Sequence, residues 1–285
     1  GVEPASAGHV VSARYVVGDV RDVLATIPDG SIDLVLTSPP FLALRSYLPA
    51  DHPDKHREIG SEPNPAMFLD TLLALTAEWR RVLAPHGSIC VELGDTYSGS
   101  GGAGGDYTDT GLRAGQEKFD GSARRNVEGY PLPKSLCMIP ELYRVALAYG
   151  VNPLTGEPSP AGRWRCRNVV RWHRPNPPVG ALGDKFRPST SDMVVACVSG
   201  KRYFDLDAVR NAGSPNTHAR TAKGVASRPT TGKAADDERR GGNFSTLATL
   251  HDTAGAPPLD TWVIPTAPYS GTVSTSRRVP CGPHD

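Results

Sequence analysis

Apolar and polar positions along this chain switch between a period near two and a period near 3.6, and the switches outline alternating strands and helices. A short apolar run at residues 15–17 reads as a strand closed by Gly18-Asp19. Val20, Val23, Leu24 and Ile27 then recur at helical spacing, and the breaker "PDGS" precedes a second apolar run at 32–36. Asn64-Pro65 is a helix start, with Asn as N-cap and Pro at the first helical position. The stripe Phe68, Leu69, Leu72, Leu73, Leu75, Trp79, Val82 and Leu83 follows, and "APHG" separates it from a strand at 88–93. Pro140 opens a shorter helix closed by Gly150. Two β-like runs come next, "RCRNVVRWH" and "DMVVACV", on either side of a Pro-rich turn. Strand, helix, strand repeated in this way predicts an α/β fold with a parallel sheet at its start.

Composition adds interruptions to that picture. Gly 30 and Pro 27 make up about a fifth of the 285 residues, so long loops are expected, the largest at 98–135 and 211–258. Net charge is +1, which leaves any nucleic-acid surface to local clusters such as Arg163, Arg165, Arg167, Arg171 and Arg174. Alternation on a strand would place Arg163, Arg165, Arg167 and Arg171 on one face, as phosphate contacts require. The five cysteines show no C-x-x-C and no nearby His pair, so a reduced, metal-free chain is expected. No run approaches the ~20 apolar residues of a membrane span, and the N-terminus lacks a secretory pattern; a cytoplasmic protein without a membrane partner is the expectation. Gly99, Gly101 and Gly104 have G-x-G-x-x-G spacing, yet no helical stripe follows to receive a pyrophosphate, so this reads as a loop.

The chemistry concentrates where the second strand stops, at "LVLTSPPF", residues 34–41. An exocyclic amine of a nucleobase is a poor nucleophile, because its lone pair is delocalised into the ring. A catalyst must accept both N–H bonds and hold the nitrogen in line with a methyl donor. Pro39 and Pro40 have no N–H and a locked φ, so a Pro-Pro pair at a strand end leaves rigidly aimed carbonyls. Ser38 adds a hydroxyl beside the Pro39 carbonyl, and Phe41 offers a flat face for a flipped base. The carboxyl end of a strand is where α/β sheets bind ligands.

"GDVRDVLATIPDGSIDLVLTSPPF" resembles the opening of the amino-methyltransferases of DNA, which make N4-methylcytosine or N6-methyladenine from S-adenosylmethionine. The resemblance continues through "EWRRVLAPHGSICVELGD", "RNVVRWHRPNPPV" and "KFRPSTSDMVVACVSGKRYFDLDAVR", over about residues 14–210. It implies a Rossmann-like methyltransferase sheet with permuted motif order, S-adenosylmethionine as cofactor, and double-stranded DNA with a flipped base as substrate. It also implies roles. Ser38 and Pro39 hold the amine with Pro40 behind them, Phe41 stacks on the base, and Asp19, Thr37 and Ser38 lie beside the donor. Trp172 and His173 flank the base, with Arg163, Arg165 and Arg171 on DNA. Ser at the first motif position resembles the cytosine N4 subgroup; adenine in DNA, or RNA, is the alternative substrate.

The permuted order calls for an F-x-G-x-G strand and turn near the C-terminus, after the lead-in "DTWVIPTAPYSG". "TVSTSRRVPCGPHD" has neither that motif nor any apolar period. The expectation is therefore a catalytic target-amine core over 1–210, a variable target-recognition region over 211–258, and a lead-in over 259–285 to a donor-binding half that is missing or frame-shifted. A complementing chain, a partner restriction endonuclease, or a truncated DNA-binding remnant without activity are the corresponding expectations for partners and state.

Overall fold

The computed structural model describes residues 13–44, 46–49, 51–99, 128–177, 184–211 and 257–266. Their elements run α1 (Val20–Ala25), β1 (Ile32–Thr37), a 3₁₀ turn (Lys55–Arg57), α2 (Pro65–Val82), β2 (Leu83–Leu93), α3 (Ile139–Tyr149), β3 (Arg165–His173), β4 (Thr190–Cys197), α4 (Leu206–Val209) and β5 (Thr261–Val263). The α/β class expected from the pattern is the one observed. One mixed sheet has the order β1-β2-β4-β3-β5. β1 and β2 are parallel and joined through α2, whereas β4 runs antiparallel to both β2 and β3.

Local chemistry explains the boundaries. The Asn64 side chain accepts from the N–H of Met67 at 3.0 Å, capping α2 as its sequence foretold. Gly150 ends α3 at φ +76°, a left-handed conformation that costs glycine nothing. The start of α3 is less legible: Met138 at its N-cap position has φ +60° and no capping side chain. Asp95, at the end of β2, takes over by accepting from the N–H groups of Met138 at 2.9 Å and Ile139 at 3.2 Å. The strand expected at 88–93 begins earlier, because Leu83 already pairs with Ile32 and "APHG" is absorbed as an irregularity between two registers.

The core lies on one face of the sheet. Ile89, Val91, Leu93, Val194 and Ala196 meet Phe68, Leu69, Leu72 and Leu73 of α2, Tyr143 and Leu147 of α3, and Leu24 of α1. Burial of each large side chain stabilises by about 1.5–3 kcal/mol. Tyr143 is fully buried with its hydroxyl 2.8 Å from Thr76 Oγ1, and burial raises its pKa far above the ordinary value.

Two expectations require correction. Residues 15–17 form no strand; Tyr15 is 91% exposed, since no neighbouring strand pairs with that stretch among the described residues. The arginines do not share one face: Arg163 precedes β3, and a register shift between Cys166 and Asn168 breaks the alternation. The "DTWVIPTAPYSG" stretch supplies an element that the pattern did not predict, β5, which pairs in parallel with β3. Gly101, Gly104 and almost all of 211–258 lie outside the described residues, as does Cys281. No described helix is long and apolar enough to cross a membrane, and no cluster of metal-ligating side chains occurs among the described residues.

Candidate active site

Ser38 follows directly on the last residue of β1, and Glu92 is the next-to-last of β2. Parallel register brings them level, because Thr37 pairs with Val91. The Ser38 hydroxyl donates to Glu92 Oε2 at 2.5 Å, and Glu92 is only 8% exposed. A hydroxyl has one proton and two lone pairs. With its proton committed to a carboxylate, Ser38 Oγ turns acceptor capacity outward. Pro39, the next residue, is buried. Sequence reasoning missed Glu92. Its signal was a carboxylate in the otherwise apolar run "ICVEL", level with the end of the preceding parallel strand.

Two glycines grip Phe41. A Cβ on Gly94 would sit 2.6 Å from Cε2 of the ring, and one on Gly60, at φ +91°, would sit 2.8 Å from the Phe41 carbonyl oxygen. The ring therefore packs directly on the backbone at the end of β2. The chain then turns back through Ala43, whose N–H donates to the Gly60 carbonyl at 2.7 Å. Phe41 lines a cavity of about 490 Å³ that also takes in Asp95, Arg171, Arg174, Arg187 and Asp192. That volume suits a small planar ligand. Asp192 is nearly fully buried, pairs with Arg171, and lies 3.9 Å from Arg144. Burial pushes the Asp95 carboxyl up from its ordinary value, against the lowering by the N–H groups of Ile139, Thr96 and Met138.

The expected site residues divide accordingly. Ser38, Pro39, Pro40 and Phe41 stand together at the end of β1, and Arg171 shares the cavity with Phe41. Trp172 does not line that cavity. Its indole N–H donates to the Ile264 carbonyl at 3.0 Å, and the Arg174 guanidinium lies 5.3 Å from its ring centre. His173 is bound through its carbonyl to the N–H of Ile264. Arg165 pairs with Cys197 at the opposite end of β3 from Arg171 and donates to the Val198 carbonyl, while Arg163 donates to Ala148. About 20 Å of strand separates Arg165 from Arg171 at ~3.3 Å per residue.

Asp19 caps α1 and is closed by arginine. Its carboxylate accepts from the backbone and side chain of Arg21, with Arg57 3.5 Å away. The Arg21 hydrogen bond holds the Asp19 carboxyl down at about 2. Cys90 and Cys166 have pKa values raised by burial, which argues against nucleophilic thiols.

Comparison with known proteins now adds a decisive observation: residues 32–278 match the DNA methylase family N6_N4_Mtase. The chain belongs to this family. It is similar to the type II methyltransferase M.SfiI of Streptomyces fimbriatus, with 31% identity over 194 residues, covering 68% of this chain and 38% of the relative. M.Cfr9I of Citrobacter freundii is 29% identical over 196 residues, covering 68% and 57%. Among solved structures, a PvuII DNA methyltransferase (cytosine-N4-specific) is 14% identical, with TM-score 0.40, covering 75% of this chain and 63% of that one. The chain thus spans between about a third and two thirds of the length of these relatives.

Tested against the described residues, S-adenosylmethionine lacks a complete cradle. Among the described residues no strand pairs with the outer edge of β1 beside Ser38, and the Asp19 carboxylate is already engaged by two guanidinium groups. Thr37, half-buried at the strand end, is the remaining candidate contact.

Proposed function

We propose that this DNA methylase family member is the amine-holding part of a DNA amino-methyltransferase acting on N4 of cytosine. S-adenosylmethionine would supply the electrophilic methyl group. The observation that carries the reading is the hydrogen bond at the end of β1 by which Ser38 donates its proton to buried Glu92. Ser38 Oγ and the Pro39 carbonyl accept the two N–H bonds of the amine and draw nitrogen toward tetrahedral geometry. Phe41 carries the base on its face, and Arg171 and Arg174 at the cavity rim meet the flanking phosphates. Once the amine has gained a fourth substituent it sheds one proton to Ser38 Oγ, whose own proton passes to Glu92. Ser at the first motif position supports cytosine over adenine.

Nucleoside mass spectrometry on DNA from methylation-deficient cells producing the chain tests this. N4-methylcytosine is the expected product. N6-methyladenine would keep the site chemistry and overturn the base. A soluble chain that leaves no modified base would limit the function to base binding, a second reading favoured by the open edge beside Ser38.

A further inference from the structure

Phe186 is 99% exposed at the lip of the cavity that Phe41 lines. Its neighbours explain why the ring stays out. The antiparallel ladder of β3 and β4 is held as far as Ser189, whose carbonyl accepts from the N–H of Arg174 at 2.7 Å. Pro188 then locks its own φ and keeps Arg187 extended. On the other side of the ring, Asp184 pairs with Lys134 at 3.5 Å, and the Lys185 ammonium lies 3.5 Å from the centre of the Tyr97 ring. Tyr97 lines the same cavity and is an apolar surface onto which Phe186 could fold, but Lys185 already covers it. A large planar side chain is thus presented outward between two cations, Lys185 and Arg187, with Arg174 on the same cavity. A single ring among cations is a poor match for an apolar protein surface. It suits a stack of bases carried between phosphates.

We propose that Phe186 is a wedge that enters the duplex where the target base leaves it. The inference rests on the reading given above, that the base carried on Phe41 comes out of double-stranded DNA. Flipping opens a gap one base thick between two apolar faces, and an aromatic ring inserted there recovers stacking that the departing base gives up. Phe41 and Phe186 line one cavity, so one ring receives the base while the other fills the space it vacated. Lys185 and Arg187, on either side of the ring in the chain, meet the phosphates that flank the gap. Phe186 is therefore a positioning residue. It touches the gap and not the reacting amine, and its contribution exists only where the substrate is a duplex.

Two probes share one strand with a central cytosine: the single strand alone, and a duplex in which that cytosine faces an abasic residue, so that no base pair has to break. Dissociation constants are read by fluorescence anisotropy for wild type, Phe186→Ala, Phe186→Trp and Phe41→Ala, which makes the outcome independent of methyl transfer. Phe186→Ala should weaken duplex binding about fivefold or more, the scale of losing one stacked ring, and leave single-strand binding within about twofold. Phe186→Trp, which restores a flat ring, should return the duplex value. The Phe186 side chain faces solvent, and circular dichroism verifies that its variants fold. Equal losses on both probes, no loss on the duplex, or a Trp variant as weak as the Ala variant would each overturn the wedge. Phe41→Ala separates this inference from the reading beneath it. If Phe41→Ala weakens both probes while the duplex is indifferent to Phe186→Ala, the wedge alone fails; a wild-type chain that binds neither probe overturns both.

Discussion

Removing either partner of the Ser38–Glu92 pair should destabilise the protein, and removing both should cost less than the sum. Glu92 is buried, and among the described residues Ser38 is the side chain that donates to it, at 2.5 Å. A hydrogen bond to a charged group contributes about 1.5–3 kcal/mol. Ser38 is solvent-accessible on its outer side, so a value near or just below the bottom of that range applies, about 1–2 kcal/mol. Ser38→Ala leaves a buried carboxylate without its donor, and Glu92→Met keeps the size and removes the acceptor. The assay is urea unfolding of wild type, both single variants and the double variant, with coupling taken from the thermodynamic cycle. The expected coupling is about 1–2 kcal/mol, visible as a midpoint shift of roughly 0.5–1 M at ordinary slopes. Strictly additive single effects, with coupling below about 0.3 kcal/mol, would mean that the hydroxyl proton is not committed to Glu92. The case for free acceptor capacity on Ser38 would then collapse.

Three other perturbations probe separate parts of the site. Gly94→Ala should displace the Phe41 ring, which a Cβ would approach to 2.6 Å; quenching of pyrrolocytosine in a short single strand should fall as far as it does in Phe41→Ala, and unchanged quenching would refute the packing. Asp19, held down at about 2 from an ordinary 3.8, stabilises the fold above about pH 4 and loses that contribution as pH falls toward 2. Asp19→Asn should therefore flatten the acid limb of the stability profile, and an unaltered limb would contradict the Arg21 pairing. Arg171→Ala and Arg174→Ala should each reduce the salt slope of single-stranded DNA binding by about 0.7, whereas Arg163→Ala and Arg165→Ala, at the far end of β3, should leave it unchanged.

Much of this was legible in the sequence because it depends on local chemistry. Asn64-Pro65 and Gly150 bound their helices through caps formed within a few residues, and the apolar run before Ser38 becomes β1 as its pattern dictates. What stayed hidden depends on register between distant segments. Glu92 reaches Ser38 across 54 residues only because β1 and β2 pair in parallel at one particular offset. Asp95 caps α3 from the end of another strand, leaving no cap residue next to the helix itself. The arginine pattern misled because one register shift in β3 undoes an alternation rule that assumes a regular strand. Residues 15–17 have the composition of a strand, yet a strand exists only with a partner.

The most direct test of the amine-holding claim observes the amine itself. A short DNA carrying cytosine labelled with ¹⁵N at the exocyclic position is titrated with the chain, and the amino-proton resonances are followed by NMR. If Ser38 Oγ and the Pro39 carbonyl accept the two N–H bonds, both protons shift downfield on binding, and Ser38→Ala abolishes the shift of one. Resonances that stay at their free positions in a saturated complex, or that shift equally in Ser38→Ala, would contradict the assignment of the site.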